Sequence, residues 1–352
     1  MATMFPLLAD ADEVAGVVED ARREVRYLIT DFSAELVISK FKEKAESEGD
    51  IYVPDYQRGL AWTEDTQSYF IESLILRVPI PPVFFYEVEG KLEIVDGSQR
   101  IRTIVSFAKD GFALRGLEKL DILNGFEFSK LPLPVQRRLY NTPIRSYVLD
   151  QGIDESTRVD LFRRLNTSGK KLQDAEIRKG AFRGPFLDLV VESAASDIFL
   201  QVTPHIGGRS ASESERQELV TRFFIYARKY MDFRHDVRRF LDANMVIFNK
   251  SLNEGELQSM RAEFSTTMKF ILENYPKAFY RTEKGHLVPR VRFEAVAVGT
   301  ALALRQNQNL QVGNSDWLRS AEFEQLVRTD ASNSAPKLRS RIEFVRDRLL
   351  GV

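Results

Sequence analysis

The hydrophobic pattern between residues 83 and 111 changes from alternation to helical spacing at Asp96-Gly97, and this change constrains the fold more than any other feature. Residues 83–88 and 91–95 predict two strands, and Glu89-Gly90 between them predicts a tight hairpin. The helical positions that follow are Ile101, Ile104, Val105, Phe107 and Ala108, with Gly111 at the expected carboxyl-terminal cap. The segment therefore predicts a hairpin that leads directly into a helix.

Other elements flank this unit. Thr63 is expected to cap a helix that ends before Pro79, a strand is expected at residues 144–149, and Asp154 is expected to cap a helix that runs through Leu165. The second half is almost entirely helical in pattern, with loops expected at residues 205–215, 281–289 and 306–316. We therefore predict an α+β fold with two domains, residues 1–180 and an α-helical domain over residues 181–352.

Composition excludes several classes of protein. The chain has 50 Lys and Arg against 51 Asp and Glu, so overall positive charge cannot attract nucleic acid. It has no cysteine, which excludes disulfides, zinc–thiolate sites and cysteine nucleophiles, and only three histidines. The longest uncharged apolar stretch, residues 295–304, is far shorter than the roughly 20 residues that cross a bilayer. We expect a soluble cytoplasmic protein with no membrane segment and no signal peptide.

Charge is distributed unevenly along the chain. Residues 1–50 carry 12 acidic and 6 basic residues, a net charge of −6, whereas residues 130–183 carry 12 basic and 6 acidic residues, a net charge of +6. Such an offset indicates either a binding face or an ordinary solvated surface, and charge alone leaves both interpretations open.

The first candidate site is the sequence Asp96-Gly97-Ser98-Gln99-Arg100 at the predicted strand–helix junction. The first N–H groups of a helix and its dipole favour an anion, Gly97 permits close approach of a ligand, and Arg100 offers a forked cation for phosphate. Asp96 would repel a bare phosphate, which favours a metal-bridged phosphate or a base that positions water. The alternative is a simple Asp-Gly turn beside a surface arginine.

Two further clusters combine polar, basic and aromatic residues. Tyr56, Gln57 and Arg58 precede Trp62 in a segment suited to nucleotide contacts, although an ordinary loop remains an alternative. The second cluster, residues 162–171, contains Arg163, Asn166 and Lys170 around a Gly turn that could hold phosphates. It is not a Walker loop, because the first glycine and the final Ser or Thr of that motif are absent.

Taken in order, these motifs resemble the GmrSD amino-terminal domain family. The motifs are Pro-x-Tyr-Gln-Arg followed by Trp62, Pro-Ile-Pro-Pro at residues 79–82, Val-Asp-Gly-x-Gln-Arg at residues 95–100, and Phe-x-Arg-Leu-Asn at residues 162–166 with Glu-x-Arg at residues 176–178. The resemblance covers roughly residues 30–250. It implies a ParB/sulfiredoxin-like fold for the N-terminal domain and an origin in modification-dependent restriction systems.

The resemblance also implies nucleoside-triphosphate (NTP) binding, and in some members hydrolysis, at an Asp-Gly-Gln-Gln-Arg motif. Asp96, Gly97, Gln99 and Arg100 match this motif, which makes Asp96 and Arg100 the expected catalytic residues; Ser98 replaces a Gln and places hydrolysis in more doubt than phosphate binding. The remaining nucleotide-binding residues that it implies are Tyr56, Gln57, Arg58, Arg163, Asn166 and Lys170. By analogy with ParB, Asn166 is expected near a magnesium ion.

Many family members carry an additional HNH nuclease domain. Residues 285–289 (Gly-His-Leu-Val-Pro) look superficially like its first motif, but no histidine follows His286 to supply a second ligand. We therefore expect a stand-alone member without this nuclease.

Three functions remain open at this stage. The first is an NTP-binding and NTP-hydrolysing module of a prokaryotic DNA-restriction or phage-defence system, with NTP and Mg²⁺ as its cofactors and a nuclease or another defence protein as its partner. The second is a ParB-like DNA-binding protein or nuclease that uses the basic segment at residues 130–183 and binds DNA. The third is a catalytically inactive scaffold, which Ser98 favours. An oligomer is compatible with all three.

Overall fold

A computed structural model of the protein describes residues 11–23, 26–43, 50–54, 61–153, 155–165, 174–204, 206, 209–282, 288–310, 313–328 and 334–351. The chain divides into two compact units, Met1–Lys171 (unit 1) and Leu172–Val352 (unit 2). Within the described residues, no helix is both long enough and apolar enough to cross a membrane.

The described part of unit 1 combines six strands with six α-helices. The strands are β1 (Tyr27–Ser33), β2 (Phe41–Lys42), β3 (Ile51–Tyr52), β4 (Val83–Val88), β5 (Lys91–Asp96) and β6 (Pro143–Leu149). The helices are α1 (Ala11–Arg23), α2 (Ala34–Lys40), α3 (Glu64–Ile75), α4 (Ser98–Ala108), α5 (Leu133–Tyr140) and α6 (Glu155–Leu165). The strands form one mixed sheet in the order β1-β6-β4-β5-β3-β2, in which β4 pairs with β5 antiparallel and with β6 parallel.

The two faces of the sheet differ in their surroundings. Phe85, Ile94 and Val148 lie on one face, in a hydrophobic core that also contains residues of α2, α3, α4 and α5. Because side chains alternate along a strand, Phe84 and Tyr147 lie on the opposite face, where their rings stack at a centroid distance of 5.0 Å. We refer to this second face as the α6 face, because Arg158 of α6 lies over Tyr86 on it.

The hairpin and the helix after it are confirmed. Glu89 (φ 50°) and Gly90 (φ 78°) both have positive φ between β4 and β5, as a two-residue hairpin turn requires. Helix α4 begins at Ser98, directly after Gly97, and the strand expected at residues 144–149 is β6. The predicted Thr63 cap is confirmed, because the Thr63 side chain accepts a hydrogen bond from the Thr66 N–H at the start of α3. The predicted Asp154 cap lies outside the described residues.

The prediction that Gly111 caps α4 is wrong. Asp110 (φ 57°) adopts the left-handed conformation that reverses the chain, and the Gly111 N–H donates to the Ser106 carbonyl at 2.8 Å. Glycine is required at position 111 for a steric reason and not for its backbone conformation, because a Cβ there would lie only 2.8 Å from the Ser106 carbonyl oxygen.

Unit 2 is helical throughout its described residues. Its helices are α7 (Asp174–Ala181), α8 (Pro185–Ala195), α9 (Asp197–Val202), α10 (Arg209–Lys229), α11 (Val237–Ser251), α12 (Glu254–Asn274), α13 (Arg290–Phe293), α14 (Gly299–Gln306), α15 (Ala321–Leu326) and α16 (Ala335–Leu350). A π-helical turn, Glu294–Val298, joins α13 to α14. The loop expected at residues 205–215 is wrong over residues 209–215, because these polar residues form the first turns of α10.

A buried chain of ion pairs runs through unit 2. Its members, in order, are Asp242, Arg178, Glu218, Arg222, Glu294 and Arg341. Burial by itself raises the pKa of Glu218, but Arg178, Arg222 and Arg290 outweigh burial and hold this pKa at about 2. Glu294 lies in the π-helical turn and accepts hydrogen bonds from both Arg222 and Arg341.

The protein thus belongs to the α+β class, as the sequence predicts: a mixed sheet with helices in unit 1 is followed by helices in unit 2. The ParB/sulfiredoxin-like topology stays a prediction.

Candidate functional site

The candidate site is the junction between β5 and α4, where Gly97 is the single residue that links the strand to the helix. Its backbone (φ 98°, ψ 10°) lies in the left-handed region, which glycine adopts without the steric penalty of a Cβ. A Cβ at this position would also lie 3.0 Å from a methyl group of Val83 and 3.1 Å from Nη2 of Arg100. Both the conformation and the space at this turn therefore require glycine.

Arg100 and Asp96 lie together at the junction. Nη2 of Arg100 donates to Oδ2 of Asp96 at 2.8 Å, and Nη1 donates to the carbonyl oxygens of Pro81 and Pro82. The Arg100 side chain is 11% exposed, and burial lowers its pKa although Asp96 opposes this effect. The guanidinium is therefore fixed in place by α4, β5 and the proline segment before β4, and its Nε–H has no acceptor among the described residues.

Asp96 is more accessible than its partner. Its side chain is 33% exposed, and Oδ2 carries the bond from Arg100, so that Oδ1 faces no hydrogen-bond donor of a described residue. The pair therefore differs from the sequence expectation in one respect: Asp96 and Arg100 are bound to each other, and Asp96 orients the guanidinium.

Ser98 and Gln99 begin the helix and have different surroundings. The Ser98 hydroxyl makes no hydrogen bond with a described residue, and neither does its backbone N–H. Oε1 of Gln99 accepts hydrogen bonds from the backbone N–H groups of Ala61 (2.7 Å) and Trp62 (3.3 Å). Gln99 thus fixes the start of α3 against the site, and the ring of Trp62 packs on Phe70.

The other predicted clusters are only partly described. Tyr56, Gln57, Arg58, Asn166 and Lys170 lie outside the described residues, as does His286. Arg163 lies in α6 and is half-buried. The Glu-x-Arg motif is buried in α7 of unit 2, where the guanidinium of Arg178 donates to Glu218 and Asp242. Arg178 therefore joins α7 to α10 and α11, a structural role that the motif itself does not indicate.

Two aromatic residues near the junction were missed from the sequence. Phe84 pairs with Asp96 across β4 and β5, and Tyr147 pairs with Phe84 across β6 and β4, so the three residues form one row across the sheet. Both rings are half-buried. The signal that could have identified Phe84 is its position within the strand, since it alternates with the core residues Val83 and Phe85.

No cluster of three or more His, Asp or Glu side chains that could hold a metal ion occurs among the described residues. A magnesium ion that accompanies a nucleotide does not need such a cluster, because it is held by one or two carboxylates together with phosphate oxygens and water. Asp96 supplies one carboxylate at the junction.

Several cations of the basic segment at residues 130–183 are paired in the structure. Lys130 pairs with Glu127, Arg145 with Asp31, and Arg164 with Asp160. A cation that is already paired gains less from a DNA phosphate than a free one, so these pairs weaken the case for a continuous DNA-binding stripe.

Comparison with known protein families gives a match for one part of the chain. Residues 38–183 match the family model described as GmrSD restriction endonuclease, N-terminal domain. The match extends from within α2 to just beyond α7 and includes the whole β5–α4 junction. No curated protein and no solved structure matches the chain. The part of the chain that contains the candidate site, residues 38–183, is thus similar to the N-terminal domain of the GmrSD restriction endonuclease.

Proposed function

We propose that this protein is the NTP-binding component of a prokaryotic restriction or phage-defence system, and that it holds the phosphates of the nucleotide at the β5–α4 junction. The family match supports the restriction-system context. The main support for nucleotide binding is the geometry of the junction. A left-handed Gly97, a Ser98 hydroxyl that makes no hydrogen bond with a described residue, and a fixed Arg100 lie together at the amino end of α4.

Phosphate fits this junction for three physical reasons. The amino end of α4 carries unpaired backbone N–H groups and the positive end of the helix dipole. The absence of a side chain at Gly97 permits an anion to approach the backbone. Arg100 is held in one orientation by Asp96 and by the two proline carbonyls, so that little conformational entropy is lost when its remaining N–H groups meet a ligand.

The site also fits an NTP with magnesium. Asp96 would contribute Oδ1 and Ser98 its hydroxyl as oxygen ligands, which are the donors that magnesium prefers. When bound, the ion neutralises negative charge on the phosphates. In hydrolysis, Asp96 would accept a hydrogen bond from the attacking water while Arg100 stabilises the charge that develops on the transferred phosphoryl group.

The first test is binding. Isothermal titration of the intact chain with non-hydrolysable analogues of the four NTPs and Mg²⁺ is expected to show one site. Arg100→Met should weaken binding about 10- to 100-fold, since it removes charge-assisted hydrogen bonds. The matched control is Arg115→Met, because Arg115 forms an exposed pair with Asp65 in the same unit.

The second test is hydrolysis. Asp96→Asn keeps an oxygen that can accept the hydrogen bond from Arg100 but removes the negative charge, so it should reduce phosphate release more than nucleotide binding. Asp65→Asn is its control. A wild-type chain that shows neither heat of binding nor a thermal shift with any NTP would refute the proposal. Binding of duplex DNA in the same titration, with a steep dependence on salt, would favour the ParB-like alternative instead.

A further inference from the structure

Arg158 of α6 is buried, and no ion pair to it occurs among the described residues. It is 7% exposed, and its Nε lies in the interior with no hydrogen-bond partner. No described carboxylate forms an ion pair with it. Among the described residues it interacts with an aromatic ring, since the guanidinium carbon lies 4.9 Å from the ring centroid of Tyr86 on the α6 face.

This environment is unfavourable for a cation. Removal of a guanidinium from water carries a large desolvation penalty, and buried arginines in folded proteins are therefore paired with carboxylates or fully hydrogen-bonded. The interaction with the Tyr86 ring offsets only part of that penalty. In unit 2, by contrast, the buried Arg178 is paired with both Glu218 and Asp242. A buried cation that has no ion pair among the described residues is a candidate for binding an anionic ligand.

Strand register places Arg158 close to the candidate site. Phe84 pairs with Asp96, and Tyr86 lies two residues further along β4 on the same face. The spacing of neighbouring strands and the rise along a strand put the Cα atoms of Asp96 and Tyr86 about 8 Å apart. One polyphosphate ligand that begins at the Gly97 turn is long enough to reach the guanidinium over Tyr86.

We propose that Arg158 is an anion-binding residue of the nucleotide site, which accepts a second phosphate group of the NTP whose first phosphate is held at the Gly97 turn. This inference rests on the proposed function. It adds a cation from α6 that belongs to none of the motifs in the sequence, and it makes the ligand a polyphosphate rather than a single phosphate group. The guanidinium supplies the forked donors that suit a phosphate.

The test uses the intact chain with Arg158→Met, Arg158→Lys and the control Arg145→Met. Arg145 lies in β6 of the same sheet, is 57% exposed and is already paired with Asp31. Binding of a non-hydrolysable NTP, and separately of inorganic tripolyphosphate, is measured by titration with Mg²⁺ present. The melting temperature is measured with and without ligand.

We expect Arg158→Met to bind both ligands at least about tenfold more weakly than wild type, Arg158→Lys to bind with intermediate affinity, and Arg145→Met to be unchanged. The ligand-free Arg158→Met protein should melt at the same temperature as wild type or higher, because a desolvated charge has been removed. A structural arginine would give the opposite result, and a lower melting temperature for this variant would overturn the inference.

The outcomes also separate the two proposals. If the wild-type chain binds the NTP and Arg158→Met binds it equally well, the inference fails while the proposed function stands. If the wild-type chain binds no NTP, both fail. If Arg158→Met does not fold, that result counts as the lowered stability of a structural arginine and overturns the inference. If it folds, an Arg158→Lys variant with unchanged ligand affinity would also overturn it, because the forked donors would then contact no phosphate.

Discussion

Substitution of Gly97 by alanine tests whether the junction is as crowded as the structure indicates. Alanine in the left-handed region costs about 1–2 kcal/mol. At Gly97 the new Cβ would in addition lie 3.0 Å and 3.2 Å from the two methyl groups of Val83 and 3.1 Å from Nη2 of Arg100. Val83 is fully buried and cannot yield, so the guanidinium should move away from Asp96.

Gly90→Ala supplies the matched control. Gly90 also has a positive φ, 78°, but a Cβ there meets no atom within 4 Å. Gly90→Ala should therefore lower the free energy of unfolding only by the conformational cost of about 1–2 kcal/mol. Gly97→Ala should lower it by about 1–3 kcal/mol more, because its Cβ is also overpacked. The difference between the two variants isolates the effect of crowding.

The assay can report unit 1 alone. The chain has two tryptophans, Trp62 in unit 1 and Trp317 in unit 2, so a Trp317→Phe background assigns the fluorescence change during urea unfolding to unit 1. Gly97→Ala should unfold at a lower urea concentration than Gly90→Ala, and it alone should lose NTP affinity, by about tenfold or more. Equal stability losses in the two variants, together with unchanged NTP binding by Gly97→Ala, would refute this reasoning.

Three predictions concern unit 2, and in each the fluorescence of Trp317 in a Trp62→Phe background is the measurement. Arg178→Ala should destabilise the unit by about 3–5 kcal/mol, because it removes the buried cation that joins Glu218 to Asp242. A loss below about 1 kcal/mol would contradict the structural role of this motif residue. Glu218 has a pKa of about 2 in the folded state, below its unfolded value, so its contribution is complete above about pH 4.5 and is lost as the pH falls toward 2. Urea midpoints measured across that range should fall by more in wild type than in Glu218→Gln, and parallel curves would argue against a depressed pKa. Gly299→Ala should lower the free energy of unfolding by about 1–3 kcal/mol, since its Cβ would lie 2.6 Å from the Cβ of Val345. Gly313→Ala should be close to neutral, because its Cβ meets no atom within 4 Å. Equal effects of the two substitutions would contradict the close packing of α14 on α16.

Local signals explain why the β4–β5–α4 unit could be predicted from the sequence. The hairpin turn, the change of period at Asp96-Gly97 and the Thr63 cap each depend on residues that are close together in the chain. The strands β1, β2 and β3 were not identified. The two-residue strands β2 and β3 are too short to show a period, and β1 pairs with β6 more than 100 residues away. Such strands are fixed by tertiary pairing and not by local propensity.

The candidate site was predicted in part for the same reason. The residue types at the junction and the spacing of Asp96 and Arg100 are visible in the sequence, but the contacts of Arg100 with the Pro81 and Pro82 carbonyls depend on how the chain returns into β4. Arg158 could not have been found at all. A lone arginine in an amphipathic helix has the pattern of a surface residue, and only the packing of α6 over Tyr86 reveals its burial.

Hydrogen exchange of the backbone amides in residues 97–101 tests the central claim most directly. The first N–H groups of a helix lack intrahelical partners and exchange quickly unless a ligand accepts their hydrogen bonds. Mass spectrometry of the intact chain, with and without a non-hydrolysable NTP and Mg²⁺, should show slower exchange in a peptide that covers residues 97–101 and no change in one that covers the Glu89-Gly90 turn. Saturating nucleotide that leaves the exchange of residues 97–101 unchanged would contradict the account, because the phosphates would then lie elsewhere.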